Sequence, residues 1–106
     1  MFTVKIMNEF IHSPLWIYDE DSIIDEPEFI ANDARLQDLC NKVENMFSSY
    51  YEFDSHKDPC WFNHEKEKAE KNIMLKLISC IKERLAEIND GNFVVEDLET
   101  ERLKNL

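Results

Sequence analysis

Apolar and polar positions follow two different periods along the chain, and the period changes near residue 33. Phe2, Val4 and Ile6 alternate with Thr3, Lys5 and Met7, the two-residue period of a strand with one buried face. The stretch P-L-W-I-Y after Pro14 is aromatic and β-branched in the same way, and Asp19-Glu20-Asp21-Ser22 has turn composition. A return through S-I-I-D makes Trp16 to Asp25 a predicted hairpin. Beyond Asn32 and Asp33, either of which can cap a helix, Leu36, Leu39, Val43, Met46, Phe47 and Tyr50 recur at three- and four-residue steps, predicting a helix from Ala34 to about Tyr51. Met74, Ile78, Ile81, Leu85 and Ile88 repeat the pattern in a second helix, from Asn63 to about Asn89, with Glu65, Glu67 and Glu70 near its start. Asp90-Gly91 marks a stop and turn before a strand in F-V-V-E-D-L, and the tail E-T-E-R-L-K-N-L is ambiguous.

Strands grouped ahead of two helices predict an α+β fold, with a small antiparallel sheet packed on a two-helix hairpin and the last strand joining that sheet. Residues 1–106 fit one domain, without repeats, linkers or low-complexity runs. A hydrophobic content of 43% is too high for a disordered acidic chain, despite the formal net charge of −11. Cys40, Cys60 and Cys80 are odd in number and form no C-x-x-C pair, which predicts reduced thiols and a cytoplasmic location. No apolar run is long enough for a membrane span, and no export signal is expected.

Charge sharpens this picture because it is uneven. Residues 1–58 carry −9 and residues 59–106 only −2. Asp19, Glu20, Asp21, Asp25, Glu26, Glu28 and Asp33 follow one another without an intervening base. Such a field repels nucleic acid and attracts basic partners.

The stretch from Tyr50 to Glu65 holds five aromatics, two histidines and a cysteine. His56, Cys60 and His64 stand four apart and are ligand types that zinc accepts, but this spacing aligns ligands only on a continuous helix, which Pro59 interrupts. Cys60 beside either histidine is a nucleophile and base without an oxyanion-hole loop, since the single glycine is at position 91. Asp19, Asp21 and Asp25 lack the central glycine of a calcium loop. A small metal- or cysteine-dependent enzyme built on His56-Cys60-His64 is therefore the rival reading, and no cofactor is called for. Of Tyr50, Phe53, Trp61 and Phe62, about half are expected to plug the end of the helix hairpin and the rest to be exposed. Exposed aromatics among Glu52, Asp54 and Asp58 suit an interface with a basic protein.

The segments P-L-W-I-Y-D-E-D-S-I-I-D-E-P-E-F-I-A-N-D, N-M-F-S-S-Y-Y-E-F-D-S-H and P-C-W-F-N-H-E resemble small bacterial immunity proteins of contact-dependent growth inhibition and related polymorphic toxin systems. The resemblance implies a cytoplasmic, non-enzymatic inhibitor that captures a cognate toxin domain, commonly a nuclease. An acidic fold can occupy a nuclease's cationic site or an adjacent surface. An acidic regulator that mimics DNA is the further alternative. The partner-binding surface is expected on Asp19, Glu20, Asp21, Asp25, Glu26 and Glu28, joined by Asp54, Asp58 and Trp61 if hairpin and interhelix loop share an edge. Neither nucleic acid nor membrane is expected as a direct partner.

Overall fold

The structure, a computed structural model, describes residues 2–20, 22–53 and 60–106, with Cys60 described for its backbone alone. The α+β architecture is present. Strands β1 (Phe2–Ile6), β2 (Leu15–Asp19) and β3 (Ser22–Ile23) form an antiparallel meander, followed by a single helical turn α1 (Glu28–Ala31) and helix α2 (Ala34–Ser48). A short hairpin of β4 (Tyr51–Phe53) and β5 (Cys60–Phe62) leads into helix α3 (His64–Ile88), strand β6 (Phe93–Asp97) and a last short helix α4 (Thr100–Lys104). The main sheet has the order β3-β2-β1-β6.

The sheet is mixed rather than wholly antiparallel, because β6 joins β1 in parallel, from Phe2 opposite Phe93 to Ile6 opposite Asp97. The helix hairpin is the cause. Running out along α2 and back along α3 returns the chain to the end of the sheet where β1 begins, so β6 must run alongside β1 in the same direction. Gly91 turns this corner with φ of +96°, and Asn89 braces it by accepting from the Gly91 amide and donating to the Phe93 carbonyl, both at 2.9 Å.

Two-residue alternation turns Val4, Ile6, Leu15 and Ile17 onto one face, where they pack with Leu36, Val43, Met74, Ile78, Ile81 and Leu85 of the helices. Helix α2 ends three residues earlier than its apolar stripe predicts. The Ser49 hydroxyl donates back to the Met46 carbonyl at 2.6 Å, and the aromatic residues that follow enter β4 instead. Tyr50, the last residue of the stripe, is nevertheless fully buried. The second helix lies within its expected bounds, with Asn63 as its cap, accepting from the Lys66 amide at 3.0 Å.

Two ionic contacts lock the layers. Asp33 caps α2 by accepting from the Leu36 amide at 2.8 Å, and it receives Arg84 of α3 through Nε at 3.1 Å and Nη2 at 2.6 Å. At the other end of α3, Arg102 of α4 donates to Glu67 and Glu99, each at 2.8 Å, while Glu99 also accepts from the Asn8 amide at 2.8 Å. Glu67 and Glu99 are only 2% and 5% exposed, so their charges depend on Arg102.

Two predictions follow from these locks. Arg102→Met should destabilise the fold by about 2–3 kcal/mol, below the ~3–5 kcal/mol of a fully buried pair because solvent reaches Arg102 and can wet the orphaned carboxylates. Chemical denaturation checks this, and a change under about 0.5 kcal/mol would mean the carboxylates find other partners. The second concerns acid. Arg84's hydrogen bonds, helped by the Leu36 amide and opposed by burial, hold the Asp33 carboxyl below its ordinary range. Its contribution is fully present above the unfolded value of about 3.9 and is lost as pH falls through the lower folded value. Burial works to raise Asp97, but hydrogen bonds from Thr100, the Glu99 amide and Lys82 overcome it, giving the same sign. Asp33→Asn should therefore lower the melting temperature at neutral pH and reduce, without abolishing, its fall between about pH 4 and pH 2. Equal slopes in melts of both proteins would exclude Asp33 as a source of the acid sensitivity.

Candidate functional site

The predicted hairpin places the first part of the acidic run. Asp19 pairs with Ser22, and Glu20, which follows β2, takes the left-handed region at φ of +56°. Asp19, Glu20, Asp25 and Glu28 are exposed, and none makes an ion pair among the described residues. Glu26 is half-buried and tied to α2, its Oε2 accepting from Gln37 at 3.1 Å. Asp33, the last acid of the run, belongs to the fold through Arg84. Apolar groups border this edge. Ile23 is 61% exposed, while Phe29, 39% exposed, stacks on Phe93 with ring centroids 5.7 Å apart.

Trp61 does not join that patch. Asp19 lies opposite Phe2 at the end of the sheet where β6 begins, immediately after α3 stops, whereas Trp61 lies in β5, immediately before α3 starts. Helix α3, 25 residues and roughly 37 Å long at ~1.5 Å per residue, runs between these two ends in a molecule 48 Å long. Trp61 and Asp19, expected on one surface, thus lie toward opposite ends of α3. Asp21, Asp54 and Asp58 lie outside the described residues.

The Trp61 end forms an aromatic cluster of its own. Phe62 meets Tyr51 at 4.9 Å and Phe47 at 5.7 Å between ring centroids, and Phe10 from the β1–β2 loop packs, tilted, against Tyr51 at 4.6 Å and Phe53 at 5.8 Å. Tyr50 and Phe62 serve as the expected plug, Trp61 is half-buried and Phe53 is exposed. Burial, reinforced by the Glu70 and Glu67 carboxylates, raises the pKa of Tyr50 and keeps its hydroxyl neutral.

Ile11 is the residue here that sequence reasoning missed. Glu9 and His12 bridge across a two-residue turn, and Ile11 occupies it with φ of +49° and 71% exposure. A β-branched residue is strained there, and turns of this kind normally carry glycine or asparagine. Its amide donates to the Ser48 hydroxyl at 3.0 Å, which pins the loop to the end of α2.

Of the metal and nucleophile candidates, Cys60 stands in β5 and His64 opens α3, so no continuous helix joins them; His56 and Pro59 lie outside the described residues. His64 packs edge-on to Phe62 at 4.7 Å. Among the described residues, no three histidine, cysteine, aspartate or glutamate side chains converge in a way that could hold a metal ion. Cys40 and Cys80 are free thiols, and burial pushes Cys40 up to about 12, leaving it protonated and unreactive. Among the described residues, no helix is long and apolar enough to cross a membrane.

Strain at Ile11 generates a prediction. Ile11→Asn should stabilise the protein by about 1 kcal/mol, because asparagine tolerates the left-handed region and little buried surface is lost. Thermal melting checks it, and a lower melting temperature would show that the side chain packs more than its exposure indicates. Comparison of the chain with protein-family models, curated proteins and solved structures finds no match, so the functional reading rests on the arrangement of these residues and on the resemblance described above.

Proposed function

We propose that this chain is an immunity protein that binds and neutralises a cognate bacterial toxin domain, a basic nuclease, in the cytoplasm. It acts by covering the toxin's cationic active site or an adjacent surface, without catalysis and without a cofactor. The observation that carries the reading is the unequal use of countercharge. Lys82, Arg84 and Arg102 are engaged by Asp97, Asp33, Glu67 and Glu99 within the fold, while Asp19, Glu20, Asp25 and Glu28 are exposed and make no ion pair among the described residues. Like charges crowded on one edge cost the free protein some stability through self-repulsion, and a cationic partner relieves that repulsion. Exposed Ile23 and Phe29 supply apolar anchors within an acidic rim. Free thiols at Cys40 and Cys80 accord with a reducing compartment.

Reversing Asp19, Glu20 and Glu28 to lysine should slow association with the toxin by about tenfold or more at low salt, and by much less at high salt, where steering is screened. Co-purification with the toxin encoded beside this chain, substrate cleavage with and without this protein, and association rates at several salt concentrations make the test. Undiminished cleavage at saturating protein would remove the immunity reading for that pair. Loss of DNA binding by a transcription or restriction protein, with the toxin unaffected, would favour the DNA-mimic alternative.

A further inference from the structure

The chain leaves β2 only after Ile24, whose amide donates to the Ile17 carbonyl at 2.9 Å, and a cleft of about 310 Å³ lies at this edge, lined by residues of both segments. One wall is the pair His12 and Trp16, stacked with ring centroids 3.9 Å apart and planes 7° from parallel. Asp25 and Glu26 line the other side. Trp16 is held in place by its indole N–H, which donates to the Met7 carbonyl at 3.0 Å, and Glu26 by its bond to Gln37. Among the described residues, no lysine or arginine lines the cleft.

A second cleft on the same sheet shows what this set of groups accommodates. It is lined by Thr3, Lys5, Tyr18, Glu20 and Glu96, and the Lys5 Nζ lies 4.6 Å from the Tyr18 ring centroid and 3.8 Å from Glu96. Aromatic ring, carboxylate and cation are all present there. In the first cleft the aromatic pair and two carboxylates are present, and among the described residues no lysine or arginine accompanies them.

We infer that the cleft between β2 and the segment Ile23–Glu26 seats an arginine side chain of the basic protein partner. The inference rests on the partner reading above and names the group that the partner inserts. A guanidinium suits the site because its plane stacks on an aromatic wall while its fork of N–H donors reaches carboxylates, whereas a lysine ammonium offers no planar surface. Glu26 retains acceptor capacity beyond the bond to Gln37, since an ionised carboxylate accepts at both oxygens. Asp25 makes no ion pair among the described residues.

The test uses the full chain without toxin. The probe is N-acetyl-arginine amide, titrated into isotope-labelled protein while amide and indole resonances are followed. The expected result is weak, saturable shifts confined to the Trp16 indole and the amides of Ile23, Ile24, Asp25 and Glu26. Binding should weaken at least tenfold in Asp25→Asn/Glu26→Gln and remain in Glu83→Gln, which removes an exposed acid of α3 outside the cleft. Asp25→Asn alone, at an exposed position, should weaken binding in the same direction and guards against misfolding of the double variant. The citrulline counterpart, which keeps the shape without the charge, should give no such shifts. Equal shifts with citrulline, binding retained in Asp25→Asn/Glu26→Gln, or shifts produced by magnesium chloride in place of the arginine probe would overturn the assignment. Because no toxin is present, failure here leaves the neutralisation assay as it stands. Failed neutralisation with intact arginine binding would instead overturn the partner's class and keep the seat.

Discussion

The antiparallel seam between α2 and α3 is the constraint on which the rest of the molecule depends. The two helices bury Leu36, Val43, Met74, Ile78, Ile81 and Leu85 with the inner face of the sheet, and the Asp33–Arg84 fork fixes the start of one helix against the end of the other. That length and direction bring the chain back to the first residue of β1, which makes β6 parallel. They also carry the acidic hairpin and the aromatic β4–β5 hairpin to opposite ends. An apolar seam supplies the burial, and the ionic fork supplies its alignment, because a bidentate contact tolerates little sliding.

Charge is handled in two ways by the same fold. Carboxylates that enter the interior are met by a fixed cation, as Glu67 and Glu99 are by Arg102, because a buried charge without a partner is strongly destabilising. Carboxylates at the β2–β3 edge are left in solvent, where each is individually inexpensive and their sum attracts cations from a distance. With Arg84 and Arg102 held by interior carboxylates, the excess of 23 acids over 12 bases is carried by exposed acids such as those of the β2–β3 edge.

The arginine seat and the strained Ile11 turn arise from the same loop. Ile11 takes a left-handed backbone at φ of +49°, and the next residue, His12, stacks its imidazole on Trp16. The Ser48 hydroxyl holds the Ile11 amide, so α2 fixes both features at once. Backbone strain in an exposed residue finds no return in packing at that residue, and here it accompanies the ordering of the cleft's aromatic wall.

Local patterning by itself determined much of this protein. Alternation in Phe2–Ile6 and Leu15–Asp19, turn composition at Asp19–Ser22, and three- and four-residue spacing from Leu36 to Phe47 and from Met74 to Ile88 are properties of neighbouring residues, and each corresponds to an element of the fold. The single turn of α1 is too short to show a period, and the aromatics of β4 and β5 continue the helical stripe closely enough to hide a hairpin. Tertiary structure alone decided the parallel pairing of β6, because strand direction is set by where the intervening helices deliver the chain. It also separated Trp61 from the acids of Asp19–Glu28 and joined His12 and Trp16 to Asp25 and Glu26 in one cleft. These are relations across the sheet and along a 25-residue helix, and no periodicity along the chain encodes a distance between residues that far apart.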